Sequence, residues 1–179
     1  MLYKDNRYKI LRVFFNDPNP AGTGFQLRQI GRIVKITPKS VAKYLNELAN
    51  EGLIIKSEHS IYKYPVYWPN RSSTDFLFLK KMDNILSIKE SGLIDFLDRN
   101  CMPDAIVLFG SFSRGEDVKE SDIDLFMVAK EKQLDIAKFE KYLDKQINII
   151  WEENFNRLSK ELRNNIINGI VLHGYLKVF

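Results

Sequence analysis

Residues 108–127 read LFGSFSRGEDVKESDIDLFM, which joins a glycine–serine turn to a segment that carries two aspartates. The preceding run AIVLF, residues 105–109, is typical of a buried strand, and Gly110 ends it with a residue that is free to adopt unusual backbone angles. A helix beginning near Phe112 would present unpaired backbone N–H groups and the positive end of its dipole, which favour a bound phosphate. The pattern therefore predicts a phosphate-binding turn at Gly110 and Ser111.

Two aspartates follow this turn on a segment with the alternation of a strand. Asp122 and Asp124 alternate with aliphatic residues, so a strand would place both carboxylates on one face. Converging carboxylates repel each other, but Mg²⁺ allows both to stay ionised. Such a pair can hold two metal ions about 3.5 to 4 Å apart for phosphoryl transfer. Alone, a Gly-Ser turn is usually only a turn and an Asp-x-Asp pair is usually solvated; their ordered combination favours a functional site, to which Arg114 adds a possible phosphate contact.

Gly110-Ser111, ten intervening residues and Asp122-Ile123-Asp124 together resemble the signature of the minimal nucleotidyltransferases, relatives of DNA polymerase beta and the aminoglycoside nucleotidyltransferases. The resemblance implies that Gly110, Ser111 and Arg114 bind the triphosphate of an NTP, with ATP expected. It also implies that Asp122 and Asp124 are catalytic and hold Mg²⁺ in a two-metal site while a nucleoside monophosphate passes to an acceptor and pyrophosphate is released.

Relatives of this size include antitoxins that adenylylate HEPN toxins, and they share the same spacing. The chain has no Arg-x-x-x-x-His motif of the HEPN type. The resemblance therefore implies that such a toxin would be a separate protein acceptor.

One position departs from the family pattern. Members commonly carry a third carboxylate on the next strand, predicted here over residues 146–151, where the matching residue is Asn148. An amide can bind a cation through its carbonyl oxygen, but it adds no charge and is not a useful base. The candidate substitutes Asp144, Glu152 and Glu153 do not occupy this position. The residues therefore support nucleotide binding more strongly than catalysis.

The positive charge is concentrated in the N-terminal part of the chain. Residues 1–71 hold 12 Lys/Arg and 5 Asp/Glu, a net +7, whereas residues 100–179 hold 11 and 13, a net −2. Such an asymmetry is typical of a polyanion-binding segment joined to something else.

The N-terminal pattern predicts three helices and a β-hairpin: helices near residues 8–15 and 25–34, a third that begins at Thr37-Pro38 and stops at Gly52, and strands over 53–56 and 62–68. This order resembles a winged helix-turn-helix domain, whose third helix enters the DNA major groove. The resemblance implies DNA contacts from Lys39, Ser40, Lys43 and Lys63, with Lys56 as a further phosphate contact. A docking module or a homodimer interface, to which the hairpin aromatics would contribute, is the alternative.

Composition limits the classes of protein. With 179 residues, 45% of them hydrophobic, the chain can form one or two domains. The lack of a signal-peptide core and of an apolar run of roughly 20 residues predicts a cytoplasmic protein without a membrane partner. Cys101 is the single cysteine and there are two histidines, so neither a disulfide nor a zinc site is expected.

We therefore expect an α+β protein: a winged helix-turn-helix over residues 1–70, linking helices over 71–99, and a nucleotidyltransferase domain with a mixed sheet flanked by helices over 100–179. The expected function is Mg²⁺-dependent nucleotidyl transfer beside a DNA-binding domain. The alternative is a transcriptional regulator whose nucleotidyltransferase domain senses nucleotide with little or no turnover.

Overall fold

The computed structural model describes residues 5–17 and 24–178. The chain forms two compact units, one up to Lys80 and the other from Lys81 onward. Among the described residues, no helix is both long and apolar enough to span a membrane.

Three helices, α1 (Asn6–Asn16), α2 (Leu27–Val34) and α3 (Pro38–Asn50), build most of the first unit. The start of α3 agrees with the sequence prediction, because the Thr37 hydroxyl accepts a hydrogen bond from the Ser40 N–H and Pro38 takes the first helical position. The prediction that α2 begins at Phe25 is wrong. Phe25 pairs with Tyr67 in a strand, and α2 begins one residue after Gln26, which caps it together with Gln29.

The strands of this unit are β1 (Phe25–Gln26), β2 (Ile54–Glu58) and β3 (Pro65–Pro69), antiparallel in the order β1-β3-β2. The hairpin differs from the sequence prediction, since residues 57–58 lie in β2 and residues 62–64 lie in the turn. His59 Nδ1 accepts from the backbone N–H groups of Ile61 and Tyr62, and Lys63 adopts φ of +56°, which holds the turn in that register.

Helix α4 (Thr74–Ser91) contains the boundary between the two units, and α5 (Leu93–Cys101) follows it. Gly92 separates the two helices with φ of +75°, as its position in the apolar pattern predicts.

A four-stranded mixed sheet forms the centre of the second unit. Its strands are β4 (Ala105–Phe109), β5 (Ile123–Met127), β6 (Ile147–Trp151) and β7 (Ile170–Gly174), in the order β6-β5-β4-β7. Only the β5–β6 pairing is parallel. The sheet is therefore mixed, as expected.

Helices α6 (Gly110–Arg114), α7 (Ala137–Leu143) and α8 (Lys160–Ile167) and a short 3-10 turn (Phe155–Arg157) complete this unit. Asp144 ends helix α7 in the left-handed region at φ of +52°.

Alternate residues of β5 pack into different apolar clusters. Leu125 joins a cluster with Leu97 and Phe112, whereas Phe126 joins one with Phe155. Asp124 therefore shares its face of the strand with Phe126, at the end of the sheet where β5 begins.

Candidate active site

The glycine–serine turn and the aspartate strand meet because β4 and β5 are neighbours. Phe109, the last residue of β4, pairs with Asp124, and Gly110 follows it with φ of +73°. A β-carbon added to Gly110 would lie 2.4 Å from Asp124 Oδ2. Only glycine therefore allows both this backbone angle and this approach to the carboxylate.

Asn148 completes a cluster of oxygen-bearing side chains. It pairs with Asp124 across the parallel β5–β6 ladder. Its Nδ2 donates to Asp122 Oδ2 at 3.0 Å and makes a longer contact of 3.5 Å with Asp124 Oδ1. The structure thus brings together Asp122, Asp124 and Asn148, and both carboxylates are accessible because each aspartate is only half-buried.

This cluster suits a hard divalent cation. Among the described residues, 5–17 and 24–178, no three His, Cys, Asp or Glu side chains group closely enough to hold a metal ion. The donor set here is two carboxylates and one amide carbonyl, the oxygen chemistry that Mg²⁺ prefers. A rotation of the Asn148 amide would turn its oxygen, in place of its nitrogen, toward the carboxylates.

The cluster lies within a segment that is similar to a known family. Residues 91–175 match the family model described as Polymerase beta, Nucleotidyltransferase. The match covers 85 of the 179 residues, just under half of the chain, and supports a nucleotidyltransferase domain there. No curated protein and no solved structure matches the chain.

The other acids considered for the third position of this nucleotidyltransferase domain lie elsewhere. The Glu152 backbone N–H donates to Met127 O, at the far end of β5 from Asp122. Glu153 lines a separate cavity that includes Asp104. Asp144 ends helix α7 and lines a cleft shared with Asp122, but it stands four residues before Asn148.

Ser111 and Arg114 both lie on α6, the short helix that begins at Gly110. Ser111 is half-buried, and the exposed Arg114 guanidinium contacts Glu116 at 2.6 Å. The Ser113 hydroxyl, which the sequence pattern did not single out, donates to Gly110 O at 2.8 Å and supports the turn. Arg114 is therefore near the turn with its charge already engaged by a neighbouring carboxylate.

A cleft of about 500 Å³ opens beside Asp122. Because the sheet order is β6-β5-β4, this cleft lies on the β6 side of the aspartates, whereas Gly110 lies on the β4 side. Its lining is strongly charged and consists of Lys119, Glu120, Ser121, Asp122, Glu140, Asp144, Lys145 and Gln146. The cleft therefore opens beside Asp122, on the side of α7 and β6.

A buried polar network fixes the connection between α6 and β5. Lys145 Nζ donates to the carbonyl oxygens of Val118, Lys119 and Ser121 at 2.7, 3.3 and 3.1 Å. It also lies 3.6 Å from the buried carboxylate of Asp117. Sequence reasoning missed this network, because an isolated lysine at the end of a helix is ordinarily a surface residue.

Asn84 of α4 joins the same network. Its Nδ2 donates to Asp117 Oδ1 at 2.7 Å and to Phe112 O at 2.9 Å, and the residue is buried. No motif marked it in the sequence, since a single Asn within an amphipathic helix carries no signal of its own.

The residues predicted to face DNA lie in the first unit. Lys39 and Lys43 are exposed on α3 one helical turn apart, and Ser40 is half-buried against Thr37, with 3.1 Å between the two hydroxyl oxygens. Lys43 lies 3.9 Å from Glu47, a weak exposed pair. Lys63 is exposed in the β2–β3 turn, away from α3 in sequence.

Proposed function

We propose that the chain is a Mg²⁺-dependent nucleotidyltransferase that transfers a nucleoside monophosphate from an NTP, with ATP as the expected substrate, to a protein or a small acceptor. The observation that supports this best is the contact between the Gly110 turn and Asp124, with Asp122 and Asn148 within hydrogen-bond reach of each other. A phosphate turn placed directly against a carboxylate pair is the arrangement that nucleotidyl transfer requires.

Each residue in this proposal has one role. Gly110 and Ser111 bind the triphosphate, Arg114 adds positive charge near it, and Asp122, Asp124 and the Asn148 carbonyl hold Mg²⁺. When bound, the cation supplies positive charge that offsets the charge developing on the attacking and leaving oxygens.

The proposed reaction is a single displacement at the α-phosphorus. The oxygen of the acceptor hydroxyl forms the new bond, the bond from this phosphorus to the bridging oxygen breaks, and pyrophosphate leaves with the electron pair. The hydroxyl proton passes to a carboxylate or to solvent, since the Asn148 amide is not a base. The cleft beside Asp122 is the proposed route for the acceptor.

The acceptor belongs to one of two candidate classes. A separate HEPN-type toxin is one candidate, and a small hydroxyl compound is the other. Incubation with radiolabelled ATP, Mg²⁺ and each candidate distinguishes them, because label transferred to the protein band supports the first and label in a small product supports the second.

The test of transfer is release of pyrophosphate from ATP and the other NTPs with Mg²⁺ and candidate acceptors. Wild type should release pyrophosphate, and Asp122→Ala should reduce the rate by at least about 100-fold because it removes a metal carboxylate. Glu131→Ala, at an exposed position outside the site, is the control and should match wild type. Equal release by wild type and Asp122→Ala would overturn the enzymatic proposal.

We further propose that the first unit is a winged helix-turn-helix that binds DNA, as a monomer or a homodimer. The +7 charge of residues 1–71 and the exposed lysines of α3 support this.

Asn148 favours the second candidate function for the whole chain, a DNA-binding regulator that binds nucleotide without turning it over. Nucleotide binding without pyrophosphate release, accompanied by a nucleotide-dependent change in DNA affinity, would identify the regulator.

A further inference from the structure

We propose that Lys145, together with Asp117 and Asn84, is a positioning group that holds the three parts of the nucleotide site in register, and this inference rests on the proposed function. The ammonium of Lys145 does not belong to the donor set around Asp122. It acts on the backbone that carries that donor set.

Each of the three N–H donors of the Lys145 ammonium group has an acceptor nearby. A lysine has three N–H donors, and three backbone carbonyls, those of Val118, Lys119 and Ser121, lie within hydrogen-bond distance of Nζ. Its side chain is only 11% exposed, and the neighbouring Asp117 side chain is 1% exposed. A cation in such an environment is held by specific partners and not by solvent.

Each end of the network adjoins a part of the site. Phe112, whose carbonyl accepts from Asn84, follows Ser111, and Ser121, whose carbonyl accepts from Lys145, precedes Asp122. Lys145 itself stands three residues before Asn148, at the start of the approach to β6. One connected set of bonds therefore links the phosphate turn, the aspartate strand and the third ligand position.

The connection between α6 and β5 is irregular, and its backbone hydrogen bonds include one from the Ser121 N–H to Val118 O at 3.1 Å. Residues 115–122 contain no helix or strand, and a second local restraint is the Ser121 hydroxyl, which accepts from the Val118 N–H at 3.0 Å. Removal of Lys145 would take one donor from each of three carbonyls, of which Val118 O keeps the Ser121 N–H, and would take a cation from beside a buried carboxylate. The expected result is displacement of residues 117–122 and poorer alignment of Asp122 with Asp124 and Asn148.

The experiment measures Mg²⁺-dependent binding of a non-hydrolysable ATP analogue by calorimetry and hydrogen exchange of the peptide spanning residues 115–124. We expect Lys145→Met to weaken nucleotide binding by at least about tenfold, comparable to the loss of an outer-shell residue at a metal site, and to speed exchange in this peptide. Lys141→Met, at an exposed position of α7, is the matched control and should change neither quantity. Since Lys145→Met can fail to fold, Ser121→Ala provides a milder loosening of the same connection, with smaller changes in the same direction.

The outcomes separate the two proposals. If wild type binds the analogue with Mg²⁺ but folded Lys145→Met, or Ser121→Ala in its place, binds as tightly as wild type, the positioning role is overturned while the proposed function stands. If wild type shows no Mg²⁺-dependent binding, the proposed function fails and the positioning role fails with it, whatever the exchange rates show. A loss of binding with unchanged exchange in residues 115–124 would also contradict the role, because it would place the effect elsewhere.

Discussion

The backbone of Gly110 lies against the carboxylate of Asp124, so closely that a β-carbon at residue 110 would be 2.4 Å from Oδ2. This contact joins the glycine–serine turn to the strand that carries the aspartate. The turn and the strand therefore form a single cluster, and a substitution of Gly110 tests the contact between them.

Gly110→Ala should abolish Mg²⁺-dependent nucleotide binding while costing about 1–2 kcal/mol of stability for the left-handed backbone angle. Gly92→Ala is the matched control, because Gly92 has nearly the same angle, φ of +75° against +73°, but has no atom within 4 Å of the added β-carbon. In urea unfolding, Gly110→Ala should lose at least as much stability as Gly92→Ala, because the Asp124 side chain must also move away from the added β-carbon. Only Gly110→Ala should lose nucleotide affinity, and equal affinity in both would show that the contact with Asp124 is unimportant.

Asn148→Asp tests the third position by restoring a carboxylate. The change replaces hydrogen bonds to two carboxylates with repulsion, so the metal-free protein should become less stable at pH 7 than wild type. With Mg²⁺ bound, Asn148→Asp should be more stable than wild type, and its affinity for the metal should be about tenfold higher. Unfolding midpoints with EDTA and with Mg²⁺ measure both effects, and Asn148→Ala controls for loss of the amide alone. A higher stability of Asn148→Asp in EDTA would contradict the arrangement.

The buried thiol of Cys101 gives a pH prediction in the same unit. Burial raises the pKa of Cys101, and the nearby positive charge of Lys132 opposes this by lowering it. The pKa of Cys101 is higher in the folded protein than in the unfolded chain. The neutral thiol therefore contributes stability at pH values below its ordinary pKa, and this contribution is lost as the pH rises through the folded pKa.

Alkylation by iodoacetamide at pH 8 should therefore be several-fold slower in the folded protein than in urea. Lys132→Met should slow it further, since it removes the opposing charge. Equal rates in folded and unfolded protein would contradict the burial of this thiol.

DNA binding should depend on the lysines of α3. Lys39→Ala and Lys43→Ala should each weaken binding and reduce the slope of log affinity against log salt by about 0.9, the value for one lost phosphate contact. Lys160→Ala, an exposed lysine of α8, is the control. Fluorescence anisotropy over a range of salt concentrations gives the slopes, and a lack of binding at low salt would favour a docking role for the first unit.

The sequence was informative where a local pattern carries its own physical reason. The alternation around Asp124 and the pattern of residues 146–151 predicted two strands, which pair so that Asn148 lies beside Asp124, and the Thr37-Pro38 pair predicted the start of α3. The predicted start of α2 and the predicted bounds of the hairpin strands were wrong, because the pairing of Phe25 with Tyr67 and the hydrogen bonds of His59 override local preference there.

The contacts that organise the site depend on tertiary structure. The approach of Gly110 to Asp124 follows from the β4–β5 register, and the burial of Lys145 follows from the path of the connection that it binds. A single sequence carries no local signal for either contact, since a glycine in a turn and a lysine after a helix each have common structural roles.

The most direct test of the account is calorimetric binding of a non-hydrolysable ATP analogue to wild type, Asp122→Ala and Asp124→Ala, with Mg²⁺ and with EDTA. Binding by wild type should require Mg²⁺ and should be weakened at least about tenfold in each aspartate variant. Binding that is unaffected by EDTA or by both substitutions, or no binding of any NTP analogue by folded wild type, would contradict it.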